Sequence, residues 1–235
     1  MWPVAILSGG LATRLRPVTD RIPKSLLSVA GRPFIFHQLD LLRNQGVDRV
    51  VLCVGHFGDQ IQAAVGDGRS LGLAIDYSFD GAELLGTGGA LKQALPLLGD
   101  TFFALNGDSF LPCCFAPIQS AYEAAQRPAL MTVLRNDNRW DKSNVLFRNG
   151  ELLEYDKQSP RPAMSHIDFG LYVFSSGVFS AYGASRIIDL ADVCHRLSKT
   201  RQLAAFEVSE RFYEVGSPRG MMDAEEYLSR RMAGA

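Results

Sequence analysis

Short apolar runs alternate with longer stretches of helical period through the first half of the chain. Pro3 to Leu7 is followed by Phe34 to Gln45, Arg49 to Val54 by Gly58 to Val65, Leu73 to Phe79 by Gly88 to Leu98, and Thr101 to Leu105 by Ala116 to Gln126, with Ala129 to Leu134 closing the series. Such alternation predicts an α/β fold, a mostly parallel sheet with helices on both faces, whose ligands sit beyond the carboxyl ends of the strands.

After Leu134 the pattern changes. Asn144 to Arg148, Glu151 to Tyr155, Asp168 to Phe174, Leu203 to Val208 and Arg211 to Val215 read as strands with fewer helices between them, so the second half of the sheet is expected to be mixed and partly antiparallel. The stretch from Asp156 to Ser165, with Pro160 and Pro162, reads as a loop inside one sheet. Ser217 followed by Pro218 predicts an N-cap and first helical position, opening a last helix to about Arg231.

With 235 residues and 47% hydrophobic positions, the chain can bury one sizeable core, and a single domain over residues 1–235 is expected. Lys and Arg number 24 against 25 Asp and Glu, a net charge of −1. No global field attracts polyanions, so nucleic acid is not the expected partner, whereas a small phosphorylated ligand is. The opening apolar run from Met1 to Leu7 is too short to span a bilayer and has no basic residue before it, so neither a membrane partner nor a secretory signal is expected, and the expected location is cytoplasmic. Cys53, Cys113, Cys114 and Cys194 show no C-x-x-C spacing and read as reduced, structural thiols.

Four segments carry candidate chemistry. The first strand runs into Ser8-Gly9-Gly10-Leu11-Ala12-Thr13-Arg14, where glycines let the backbone approach a ligand, successive N–H groups cradle phosphate, and Thr13 and Arg14 add a hydroxyl and a bidentate fork. The segment has neither the dinucleotide spacing nor the P-loop ending. Pro23 stiffens the backbone ahead of Lys24 and fixes where the ammonium projects. Gly86-Thr87-Gly88-Gly89 reads as a helix entry capped by Thr87, with glycines that would let a flat base or a sugar lie against the backbone. An apolar strand ending in Asn106-Gly107-Asp108 puts a carboxylate at the ligand edge of the sheet, and Glu214 ends another strand; two such carboxylates suit Mg²⁺ completed by ligand phosphates.

In this order and spacing, the glycine segment with Arg14, Pro23-Lys24, Gly86 to Gly89, Asn106-Gly107-Asp108 and Glu214-Val215-Gly216-Ser217-Pro218 resemble the sugar-1-phosphate nucleotidyltransferases over nearly the whole chain. Within that family the chain looks most like enzymes resembling D-glycero-D-manno-heptose 1-phosphate guanylyltransferase, with muramic-acid-phosphate uridylyltransferases and choline-phosphate cytidylyltransferases more distant. The resemblance implies a Rossmann-like sheet, a nucleoside-triphosphate half (about residues 1–134) and a sugar-phosphate half with the C-terminal helix (about 135–235). It implies Ser8, Gly9, Gly10, Thr13, Arg14 and Lys24 around the triphosphate, Gly88 and Gly89 near base or ribose, and Asp108 with Glu214 on Mg²⁺. Arg14, Lys24 and Asp108 would carry catalysis. Asp156 and Lys157 resemble the family's acidic-Lys segment, and Asp168 to Tyr172 its Asn-x-Gly-Ile-Tyr segment, which places Asp156, Lys157, Asp168 and Gly170 at the sugar phosphate.

Departures from the family pattern cluster in the sugar half: Glu214 for Asp, Asp168 for Asn, Asp156 for Glu, and Ser143-Asn144 for a glycine; in the triphosphate half only Ala12 replaces Gly. The implied reaction joins NTP and a sugar 1-phosphate into an NDP-sugar and pyrophosphate, and a homo-oligomer is compatible with the chain. A choline-phosphate-type cytidylyltransferase, an NDP-sugar-dependent glycosyltransferase and a non-catalytic nucleotide-binding homologue are the alternatives. His37, His166 and His195 read as satisfied polar residues, Trp140 and Tyr213 as packing residues, and His56 is the one histidine expected at the ligand edge.

Overall fold

A computed structural model describes residues 1–10, 13–183 and 187–233, with the Thr13 side chain excepted. The expectations resting on Ala12 and on the Thr13 hydroxyl therefore lie outside the described residues. In chain order the elements are β1 (Val4–Ser8), β2 (Ser28–Val29), β3 (Arg32–Pro33), α1 (Phe34–Asn44), β4 (Arg49–Val54), α2 (Gly58–Val65), β5 (Ala74–Phe79), α3 (Gly86–Leu98), β6 (Thr101–Asn106), β7 (Ser109–Phe110) and α4 (Phe115–Ala125). There follow β8 (Ala129–Arg135), β9 (Val145–Arg148), β10 (Glu151–Tyr155), β11 (His166–Ser175), α5 (Leu190–Lys199), β12 (Leu203–Val208), β13 (Tyr213–Glu214) and α6 (Pro218–Ala233).

Nine strands form one sheet in the order β10-β9-β11-β6-β1-β4-β5, with β8 paired to β11 and β12 beyond it. Strands β6, β1, β4 and β5 run parallel. β11 lies antiparallel to both β6 and β8 and joins the two halves of the chain. The alternation read from the sequence is visible strand by strand: Val50, Leu52 and Val54 of β4 pack with Ile35, Leu39 and Ile61 on the α1/α2 face, while Val51 and Cys53 pack with Leu91, Ala94 and Leu98 on the α3 face. Each fully buried aliphatic or aromatic side chain contributes about 1.5–3 kcal/mol, and the second face adds Phe102, Phe174 and Phe179.

Two expectations are corrected. The strand read over Arg211 to Val215 shrinks to β13, which leaves the main sheet and pairs antiparallel with β7. Helix α3 starts at Gly86 with Leu85 at its N-cap position, so Thr87 lies inside the helix rather than capping it. The last helix starts as expected: the Ser217 hydroxyl accepts the Gly220 N–H at 3.0 Å. Cys53, Cys113 and Cys194 are buried free thiols and Cys114 is an exposed one. No helix among the described residues is long and apolar enough to cross a membrane.

Candidate active site

The ends of β1, β4, β5 and β6 open on a cleft walled by Leu7 to Gly10, Cys53, Asp80, Leu84, Gly86, Thr87, Ala90 and Asn106 to Asp108, with Lys24, Ser25 and Lys157 closing it from outside the sheet. Its floor depends on close backbone approach. A methyl group on Gly107 would lie 2.5 Å from the Leu7 carbonyl and one on Gly55 2.7 Å from the Gly9 carbonyl, so only glycine lets these turns meet. Ser8 Oγ and Ser25 Oγ are buried with no partner among the described residues, and both residues line this cleft. Orphan hydroxyls are costly, and a ligand oxygen at either would satisfy them.

Asp108 is held in the turn between β6 and β7, and its carbonyl accepts the Val215 N–H at 2.8 Å. Its carboxylate accepts from Lys24 Nζ and, at 3.2 Å, from Ser109 Oγ. Burial pushes this carboxyl up, but the Lys24 ammonium and the bonds from Lys24 and Ser109 outweigh burial and hold it below the ordinary carboxylate range. The β7–β13 pairing brings Glu214 opposite Ser109. A methyl group on Gly216 would stand 2.6 Å from Glu214 Oε2, 3.2 Å from Asp108 Oδ2 and 3.6 Å from Arg14 Nη2, so Arg14, Asp108 and Glu214 converge on one point. Glu214 also anchors the start of α6, since its Oε1 accepts the Ser217 hydroxyl at 2.5 Å and its Oε2 the Gly216 N–H.

Lys157 lines the same cleft as Asn106 and Asp108, and its charge acts on the Asp168 carboxyl. Asp156 is not among the residues lining the cleft; its Oδ1 accepts the N–H groups of Gln158 and Ser159 at 3.0 and 2.8 Å and so shapes the turn that carries Lys157. The pairing of β11 with β8 shifts register between Asp168 and Tyr172, and Gly170 takes φ +93°, a bulge that turns this stretch toward Asn106, whose Nδ2 lies 3.0 Å from a methyl group placed on Gly170. Asp168 accepts the Tyr172 hydroxyl at 2.6 Å, the Tyr155 hydroxyl at 3.4 Å and the Gly170 N–H at 3.0 Å. Burial raises its carboxyl despite these donors and the Lys157 charge.

Gly88 and Gly89, expected near base or ribose, stand back from the cleft lining. Both are buried, both donate their N–H to the Ile188 carbonyl, at 2.8 and 3.1 Å, and neither lines the cleft. The exposed Gly86 and Thr87 face it instead. The Thr87 hydroxyl accepts the Leu190 N–H at 2.9 Å, tying the entry of α3 to that of α5.

Sequence reasoning missed Gln38 and Asp80. Buried Gln38 on α1 donates to the carbonyls of Asn106 and Ser109, at 3.0 and 2.8 Å, and so clamps the turn that carries Asp108. Its signal was a polar residue on the apolar face of α1, between Ile35 and Leu42. Asp80 followed an apolar strand just as Asp108 does. His37, His166 and His195 are hydrogen-bonded, to Val29, to Ser165 and Glu207, and to Tyr155. Exposed His56 lines a smaller recess with Arg16 and Asp20, one that shares Ser8, Gly9, Gly10 and Lys24 with the cleft. Trp140 and Tyr213 flank the Arg211 guanidinium at 5.4 and 5.0 Å, a packing role.

A family model described as nucleotidyl transferase matches residues 4–231. The mannose-1-phosphate guanylyltransferase catalytic subunit beta of Xenopus tropicalis is 26% identical over 223 residues, 92% of this chain and 62% of its own length. The N-acetylmuramate alpha-1-phosphate uridylyltransferase of Neisseria meningitidis serogroup B is 45% identical over 104 residues, 44% of this chain and 45% of its own length. The chain spans about half the length of the curated relatives it matches. The crystal structure of HddC from Yersinia pseudotuberculosis complexed with GMP-PN superimposes with a TM-score of 0.80 at 24% identity, covering 97% of this chain and 100% of that one, a likeness of fold.

Proposed function

This chain belongs to the nucleotidyl transferase family, and from that premise we propose that it is an enzyme joining a nucleoside triphosphate to a sugar 1-phosphate, with release of pyrophosphate. The relatives above, named for guanylyl and uridylyl transfer, share a sugar 1-phosphate in their names and differ in the base. The observation that carries the reading is that Lys24, Asp108 and Lys157 line a single cleft together with the Ser8 to Gly10 turn.

An oxygen of the acceptor phosphate attacks the α-phosphorus; the new P–O bond forms as the α–β anhydride bond breaks, and the electron pair leaves on pyrophosphate. The acceptor phosphate is already ionised at neutral pH, so no general base is needed, and catalysis is positioning and charge neutralisation. Lys24 and Arg14 supply positive charge to the triphosphate, the N–H groups of Gly9 and Gly10 line its path, and Lys157 takes the acceptor phosphate, with Asp168 and Gly170 behind it on the sugar side.

Asp108 and Glu214 fit Mg²⁺. Their oxygens face one point across Gly216, and no group of three or more His, Cys, Asp or Glu is gathered among the described residues to complete a cage, which suits an ion that keeps phosphate and water oxygens. When bound there, Mg²⁺ would offset the repulsion between the two anionic substrates. Lys24 neutralises Asp108 in the cleft, and the ammonium is placed to exchange that carboxylate for phosphate.

The test is a matrix of the common NTPs against several sugar 1-phosphates and phosphocholine, with Mg²⁺ and with excess EDTA, read by pyrophosphate release. Release only with a sugar 1-phosphate and only with the divalent ion is expected. Release with phosphocholine alone, or none with any pair, overturns the reading.

A further inference from the structure

Glu154, the next-to-last residue of β10, is a carboxylate with 9% of its surface exposed. Two cations from different parts of the chain meet on it: Lys199, at the end of α5, reaches Oε1 at 2.5 Å, and Arg161 pairs with Oε2. One cation compensates the charge of a buried carboxylate, so the second has another task. Arg161 belongs to the loop that leaves β10 and stands between Pro160 and Pro162. The ring of Pro160 fixes the backbone before it and Pro162 pushes Arg161 itself into an extended conformation, which sets the direction in which the guanidinium leaves the loop.

The ring that this ion pair closes contains Lys157. That residue lines the cleft but is exposed, and its ammonium sits on a flexible four-carbon stem. The turn beneath it is closed by Asp156 on the N–H groups of Gln158 and Ser159, and Gln158 Nε2 donates to Asp192 Oδ1 of α5 at 3.1 Å. Past Arg161 the loop returns to the sheet through Met164, 2% exposed, whose N–H donates to the Arg161 carbonyl at 3.0 Å. The turn is thus held on its entering side by β10, and the Arg161–Glu154 pair ties its far side back to the same strand. A cation whose backbone is already fixed gives up less freedom when it takes an anion, so fixing the turn raises affinity without a contact to the ligand.

We propose that Arg161 is a positioning residue for the acceptor: through its ion pair with Glu154 it latches the loop that carries Lys157 and holds that lysine at the cleft, touching neither substrate itself. This rests on the nucleotidyl-transfer reading, in which Lys157 takes the acceptor phosphate.

Arg161→Met removes the charge and keeps the length, and Lys199 still compensates Glu154, so the fold is expected to survive. Initial rates of pyrophosphate release are measured with glucose 1-phosphate or mannose 1-phosphate, whichever turns over faster, and each substrate is varied in turn. KM for the sugar phosphate is expected to rise about threefold to tenfold, with kcat and KM for the NTP changed by less than about twofold, and Arg161→Lys is expected to recover most of the loss. Combined with Lys157→Ala, Arg161→Met is expected to add nothing to KM, because it acts only through that lysine. Trypsin supplies a readout free of activity: cleavage after Lys157 should be faster in Arg161→Met than in the unmodified protein. Unchanged cleavage overturns the latch. Additive effects of the two substitutions also overturn the proposal, since they mark a direct contact or a general loosening. Faster cleavage with unchanged KM takes the latched lysine, and the proposal with it, out of the acceptor site while leaving nucleotidyl transfer standing. If no pair of substrates releases pyrophosphate, both readings fall. Should Arg161→Met not fold, Arg161→Gln is read by the same criteria.

Discussion

Lys24 and Asp108, separated by 84 positions in the chain, form an ion pair in the cleft, with side chains 20% and 23% exposed. The pair places a cation and a carboxylate where a triphosphate and its counter-ion would need them. It also means that neither charge is left uncompensated before substrate arrives.

Replacing Asp108 by Asn keeps the shape and removes the charge. A fall in kcat on the order of a hundredfold or more is expected, with unchanged circular dichroism and a retained cooperative melt. Wild-type turnover in the variant would remove the carboxylate from the reaction.

Lys157 separates the two substrates. Lys157→Ala should raise KM for the sugar 1-phosphate by about tenfold to a hundredfold, as the loss of a charge-assisted hydrogen bond of roughly 1.5–3 kcal/mol requires, while KM for the NTP changes far less. Initial rates with each substrate varied in turn provide the measurement; equal shifts would take Lys157 out of the acceptor site.

Two glycines should answer differently to the same substitution. Gly10 has nothing within 4 Å of an added methyl group, so Gly10→Ala is expected to leave the urea midpoint unchanged and to raise KM for the NTP severalfold. At Gly88 the methyl group would lie 2.8 Å from Ile188 Cγ2 and 3.1 Å from its carbonyl, so Gly88→Ala should cost about 1–3 kcal/mol of stability. The reverse assignment, a stable Gly88→Ala with impaired nucleotide binding, would restore Gly88 to the base.

The Asp168 carboxyl is raised by burial, so the native state holds its proton more tightly than the unfolded chain does. Its contribution to stability is complete below the ordinary aspartate value of 3.8 and is lost as pH rises through the folded value. Melting temperatures of the unmodified protein and of Asp168→Asn should therefore diverge in favour of the variant as pH rises from about 4, then run parallel. Parallel curves throughout would contradict the burial argument.

By itself the sequence determined the alternation of strands and helices, the helices on both faces, the cap at Ser217, and the segments that meet at the cleft. Those features are local: a period of two or 3.6, a proline, a glycine turn after an apolar run each acts within a few residues of itself. What a residue faces is not local. Gly88 and Gly89 read locally as an open glycine turn, whereas Ile188, about a hundred positions later, accepts their N–H groups. Asp156 bonds its own turn, and Glu214 both faces Asp108 across Gly216 and anchors α6. Gln38 and Asp80 gave no motif at all, because a buried amide or carboxylate acquires its role from whatever the fold brings within hydrogen-bonding distance. Tertiary structure decided these, since the direction of a side chain and the partners left to it depend on the packing of elements far apart in the chain.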